Sequence, residues 1–163
     1  MKEQSTLMDP KALLYRDGVL LPARIELQES SGPVAPKFQY NTLVVVALKD
    51  GAPQLHYQDE GEYRDGAAAR NTDITAPLSI ERYQQLWSDL MAAGALEHGA
   101  DLIGDERRRR VGVSFNFLSF ELGDAKARID YLRTLLDEDS PEHAPQRALI
   151  SLVKELGRSV APK

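Results

Sequence analysis

Apolar and polar residues alternate from Ala23 to Leu27, with Ala23, Ile25 and Leu27 on one side and Arg24, Glu26 and Gln28 on the other. A period of two predicts a half-buried strand. In "KFQYNTLVVVALKDG", Phe38, Tyr40, Thr42, Val44, Val46 and Leu48 share a face, while Leu43, Val45 and Ala47 make the opposite face apolar as well. Apolar residues on both faces predict a central strand. "KDG" then supplies Asp-Gly turn chemistry, and "QLHYQ" offers Leu55 and Tyr57 for a return strand. Residues 23–58 therefore read as an antiparallel meander.

Residues 59–77 are polar, without a clear period, and read as one long loop. It leads into "PLSIERYQQLWSDLMAAGAL", the clearest helix signal. Ser79 suits the N-cap, Leu78 and Tyr83 suit a hydrophobic staple, and Glu81 suits the positive helix end. Tyr83, Leu86, Trp87, Leu90 and Met91 form the apolar stripe, and Gly94 the stop. Trp87, the one tryptophan in the chain, falls in that stripe and is read as core.

In "DERRRRVGVSFNFLSFELGD" the apolar phase shifts from Val111, Val113, Phe115 and Phe117 to Leu118, Phe120 and Leu122. A one-residue bulge near Phe117 and Leu118 would keep all of them on one face, and an uninterrupted strand that buries both faces is the alternative. "GDAKARIDYLRTLLDED" fits either a return strand, through Ala127, Ile129 and Tyr131, or a helix, through Ile129, Leu132, Leu135 and Leu136; the hairpin is preferred. The last element is a helix with Ala148, Leu149, Leu152, Val153 and Leu156 on its stripe and Gly157 as its end. The first eighteen residues read as a frayed terminus or one short helix near Asp9 to Tyr15.

Together these elements predict an α+β fold: a single antiparallel β-sheet of about five strands, a meander plus a C-terminal hairpin, packed against two main helices. A chain of 163 residues that is 42% hydrophobic and 28% charged fits one domain over residues 1–163 with a packed core.

Charge and candidate chemistry narrow the functional classes. The net charge is −5, and 20 basic residues face 25 acidic ones. Nucleic-acid binders typically carry a basic face, and here neither half of the chain is basic. Arg107, Arg108, Arg109 and Arg110 are the candidate anion or interaction contact. The block follows "DE" and has no interleaved aromatic, so an exposed strand start that resists edge pairing is the favoured reading over polyanion binding. Asp59, Glu60, Glu62 and Asp65 are oxygen ligands without EF-hand spacing. His56, His98 and His143 are widely spaced along the chain, which rules out short metal-binding motifs. There is no cysteine, no Walker loop, no G-x-S-x-G elbow and no Rossmann glycine pattern.

No cofactor is implied. An enzyme with a polar site near residues 59–65 ranks third, polyanion binding through Arg107–Arg110 second, and a protein-interaction or adaptor module first. The partner is expected to be another protein or a second copy, bound through a sheet edge or face. The N-terminal residues lack the apolar run of a signal peptide, and the longest apolar run, Leu43–Leu48, is far short of a span, so a cytoplasmic location is expected.

Overall fold

A computed structural model describes residues 10–30, 40–61, 70–103, 115–132, 135–136 and 141–160. Among these residues three α-helices, α1 (Pro10–Leu14), α2 (Ile80–Ala92) and α3 (Ala144–Val160), accompany nine strands. β1 (Tyr15–Arg16) and β2 (Val19–Leu20) form a small sheet of their own. β3 (Ala23–Ser30), β4 (Tyr40–Lys49), β5 (Ala52–Gly61), β6 (Arg70–Pro77), β7 (Ala100–Ile103), β8 (Phe115–Leu122) and β9 (Ala125–Tyr131) form a seven-stranded sheet in the order β6-β5-β4-β3-β8-β9-β7. Its neighbours are antiparallel except β7 and β9, which are parallel.

The expected single antiparallel sheet of about five strands with two main helices is therefore corrected to a mixed sheet of seven strands, a two-stranded sheet and three helices. Each added element has a weak sequence signature. β6, "RNTDITAP", lies at the sheet edge among the described residues, where polar residues suffice. What read as a loop over 59–77 is thus the end of β5, a connection, and a full strand. β7 is four residues long, too short to show a period. The β1–β2 hairpin turns on Asp17 and Gly18, with φ of 53° and 78°. Both are left-handed, as a two-residue type I′ hairpin turn requires, and Asp50–Gly51 repeats this between β4 and β5.

The preferred hairpin after Gly123 is present: β8 pairs with β9 from Asn116↔Tyr131 to Leu122↔Ala125. The bulge near Phe117 and Leu118 is not, because β8 pairs with β3 residue for residue from Phe115↔Ser30 to Leu122↔Ala23. Leu118, Phe120 and Leu122 face the core and Phe117 faces the opposite side. There the Arg128 guanidinium lies 4.0 Å from the Phe117 ring centre. The cation covers the aromatic face, so Phe117 has no need of the interior. Its core-facing neighbour is Asn116, 5% exposed.

Among the described residues, the buried apolar side chains of the sheet include Ile25, Leu27, Val44, Val46, Leu55, Tyr57, Leu118, Phe120, Leu122, Ile129 and Tyr131, all on the helical side. β4 is interior rather than central, with Val44 and Val46 buried and Leu43 and Val45 half-buried on the uncovered face. α2 starts as its sequence predicts. Ser79 is the N-cap and its Oγ accepts from the Arg82 N–H at 3.1 Å, while Leu78 and Tyr83 are both buried. It ends in a Schellman turn at Gly94, φ 85°, with Ala95 N–H donating to Leu90 O and Gly94 N–H to Met91 O. From there residues 93–99 complete the link from the β6 edge to the β7 edge. Six strand spacings amount to about 29 Å, of which a 13-residue helix spans about 20 Å.

Gly157 corrects another expectation. It does not end the last helix, which continues to Val160. It is buried in the middle of the packing surface, where an added Cβ would lie 2.5 Å from Tyr57 Cδ1 and 2.9 Å from Val44 Cγ2. The missing side chain lets the α3 backbone approach β4 and β5. α1 and the β1–β2 hairpin add Leu14, fully buried, and Leu13, Tyr15, Leu20 and Leu21, partly buried against the core. Of the two readings left open for the first eighteen residues, the short helix is present over Pro10–Leu14 as α1, and Leu21 N–H ties it down by donating to Leu14 O at 2.8 Å.

Candidate functional site

The sheet has two polar regions with enough organisation to carry function: a row of side chains under the helices, and the outer edge at β6. The row follows from register. Thr72, Asp59, Thr42, Glu29, Asn116 and Tyr131 lie opposite one another across β6, β5, β4, β3, β8 and β9. All therefore point to the helical side, one step beyond the apolar row of Ile74, Tyr57, Val44, Leu27, Leu118 and Ile129.

Glu29 is its centre and is 3% exposed. The Tyr131 hydroxyl donates to Glu29 Oε2 at 2.8 Å, and Lys154 Nζ from α3 donates to Oε1 at 2.9 Å. Asn116 Nδ2 donates to the Tyr131 carbonyl at 3.0 Å, and its Oδ1 accepts from the Ser30 N–H at 3.3 Å. Further along, Thr42 Oγ1 donates to Asp59 Oδ1 at 3.2 Å. A buried carboxylate is tolerated when its charge is matched and its oxygens are bonded. Both Glu29 oxygens are already engaged, one by a phenol and one by an ammonium. The cluster therefore closes the end of the core and fastens α3 to β3. Its burial, 3% exposed, and its two side-chain partners hold Glu29 as a structural anchor.

The face of the sheet away from the helices carries Leu43, Val45 and Phe117 among polar side chains, several of which pair with one another. Arg24 bonds Glu26 along β3, Arg128 bonds Asp130 along β9, and His56 Nε2 meets Asp73 Oδ1 at 2.8 Å between β5 and β6. Between α2 and α3 runs a groove of ≈ 230 Å³ lined by Arg82, Gln85, Leu86, Asp89, Leu152, Glu155 and Leu156. That is below the roughly 300 Å³ at which small-molecule pockets begin. Its polar groups also have partners, Arg82 with Ser159, Gln85 with Asp89 and Glu155 with Arg158.

The sequence-predicted candidates fare unequally. Arg107, Arg108, Arg109 and Arg110 lie outside the described residues, as do Glu62 and Asp65. Asp59 and Glu60 belong to β5, where Asp59 takes the Thr42 hydroxyl and Glu60 the Gln58 amide. His56, His98 and His143 sit on β5, before β7 and before α3. Among the described residues no group of three or more His, Asp or Glu is gathered to hold a metal ion. Among them, too, no helix is long and apolar enough to cross a membrane. Trp87 is core, fully buried and edge-to-face with Phe120 at 6.4 Å and 62°. Burial raises the neighbouring Tyr83 phenol above its ordinary value of 10.0. The Trp87 indole N–H opposes part of that rise but closes no ordinary hydrogen bond with it.

The β6 edge is the remaining region. Leu78 N–H donates to Pro53 O at 3.0 Å, which makes Leu78 and Pro53 a hydrogen-bonded pair in the β5–β6 register. Antiparallel pairs alternate, so Thr72, Ile74 and Ala76 turn their N–H and C=O groups toward β5. Asn71, Asp73 and Thr75 turn theirs outward, and Pro77 presents a carbonyl only. The outward residues are exposed. β6 runs eight residues at full register, whereas the opposite edge, β7, runs four with an irregular register.

No protein-family model matches the chain, and a search of curated proteins finds no match either.

Proposed function

We propose that this protein is an interaction module that takes up an extended strand of polypeptide along β6. The observation that carries the reading is the eight-residue edge with the outward N–H groups of Asn71, Asp73 and Thr75. An unpaired edge is a template for a further strand, and proteins that do not use one blunt it with lysine, proline, bulges or short strands. Between Asn71 and Ala76 β6 has no lysine, no proline and no register shift, and Pro77 stands only at its end. Its one charged residue in that span, Asp73, is engaged by His56. The polar row gives less support to a catalytic reading, because its central carboxylate is buried and held by Tyr131 and Lys154.

Peptide display tests this. A library of extended peptides panned against the chain is expected to yield binders that lose roughly tenfold in affinity on the variant Thr75→Pro. That substitution removes an outward N–H and leaves the β5 ladder intact, so circular dichroism should match the parent. An empty selection, or peptides that bind parent and variant alike, would contradict the proposal.

A further inference from the structure

We infer that the strand β6 accepts is β6 of a second copy, paired antiparallel about a two-fold axis at Ile74; this rests on the strand-accepting reading above. The argument is self-complementarity. A two-fold axis perpendicular to the sheet keeps the helices of both copies on one side and joins the two sheets into one. With Ile74 on the axis, Asp73 lies opposite Thr75 of the second copy, and Asn71 lies opposite Pro77.

The outward groups then match. Asp73 N–H reaches the Thr75 carbonyl of the second copy and Thr75 N–H reaches its Asp73 carbonyl. Asn71 N–H reaches the Pro77 carbonyl, the one outward group that proline retains. Every outward donor from Asn71 to Pro77 is thereby satisfied, three from each copy. The absent N–H of Pro77 leaves only the Asn71 carbonyl to water.

Competing registers are worse. Centring the axis on Asp73 stacks two carboxylates directly opposite each other, which is destabilising. Centring it on Thr75 carries Asn71 past the end of the opposing strand and leaves its N–H unpaired. In the Ile74 register the helical side instead pairs Ile74 with Ile74 and Thr72 with Ala76, all half-buried in one copy and still able to lose surface to water. The short, irregular β7 edge offers no comparable ladder. One shared strand pair lies at the small end of interface sizes, so the dimer is reversible and concentration-dependent.

The chain has no cysteine, so single introduced cysteines report on register without background. Non-hydrogen-bonded antiparallel partners have Cα atoms about 4.5 Å apart, within disulfide range. Under mild oxidation Ile74→Cys should form a covalent dimer about tenfold faster than Thr72→Cys or Ala76→Cys alone, because the latter two face each other rather than themselves. A mixture of Thr72→Cys and Ala76→Cys should link as fast as Ile74→Cys. Adding Thr75→Pro to Ile74→Cys should slow its linkage by roughly the same factor. Sedimentation equilibrium on the parent chain should show reversible association. A parent monomeric at every concentration, or Ile74→Cys linking no faster than Thr72→Cys, would overturn the inference. If displayed peptides still bind such a monomer, the strand-accepting reading stands and only the second copy is excluded.

Discussion

Trp87→Ala is expected to lower the stability of the folded chain by about 3–5 kcal/mol, enough to unfold a domain of ordinary stability or bring it close. Trp87 is fully buried, packs edge-on against Phe120 from β8, and belongs to the stripe that holds α2 on the sheet. Alanine would leave a cavity between two layers that relax only partly. Trp87→Phe should cost much less. It preserves most of the ring contact and removes an indole N–H that is buried without a hydrogen-bond partner. Urea denaturation of the two variants checks this. Equal losses would mean that the indole N–H contributes more than its surroundings indicate.

Glu29→Ala is the second large effect, at about 3 kcal/mol. The substitution removes the acceptor of the Tyr131 hydroxyl, whose residue is fully buried, and strips Lys154 of its counter-charge. Lys154 keeps 19% of its side chain exposed and can turn its ammonium toward water, which limits the loss. The double variant Glu29→Ala with Lys154→Met should recover part of it, since no charge is then left uncompensated. Chemical denaturation of the single and double variants measures the coupling. A neutral Glu29→Ala would remove the role of the cluster in holding α3 to β3.

Both effects arise in places that the sequence reveals to different degrees. Trp87 was legible because a helix signals itself locally: the Ser79 cap, the Leu78–Tyr83 staple and the 3.6-residue stripe agree within twenty residues. The meander from β3 to β5 was legible for the same reason, through strict alternation and an Asp-Gly turn. Glu29 was not, because its partners Tyr131 and Lys154 lie 102 and 125 positions away. One signal was available: Glu29 continues the inward parity of Ala23, Ile25 and Leu27. Asn116 shows the same parity with Leu118, Phe120 and Leu122 once no bulge is assumed. Phe117 needs no bulge to leave water, because the neighbouring Arg128 covers its ring.

The candidate site was the least legible part. An edge strand needs an apolar residue only where it overhangs the core, and in β6 Ile74 and Ala76 are the apolar positions of that kind. Without an apolar period, "RNTDITAP" has the composition of a loop. Gly157 posed the converse problem. A glycine near the end of a helical stripe reads as a terminator, and only the contact with Tyr57 and Val44 reveals it as the point of closest approach between α3 and the sheet.

Amide hydrogen exchange along β6, followed by NMR in dilute solution, tests the open edge most directly. The account predicts alternation: slow exchange at Thr72, Ile74 and Ala76, whose N–H groups bond β5, and fast exchange at Asn71, Asp73 and Thr75, whose N–H groups face outward. Slow exchange at all six that persists unchanged on dilution would mean that the edge is already covered within one chain, and no strand could be received there.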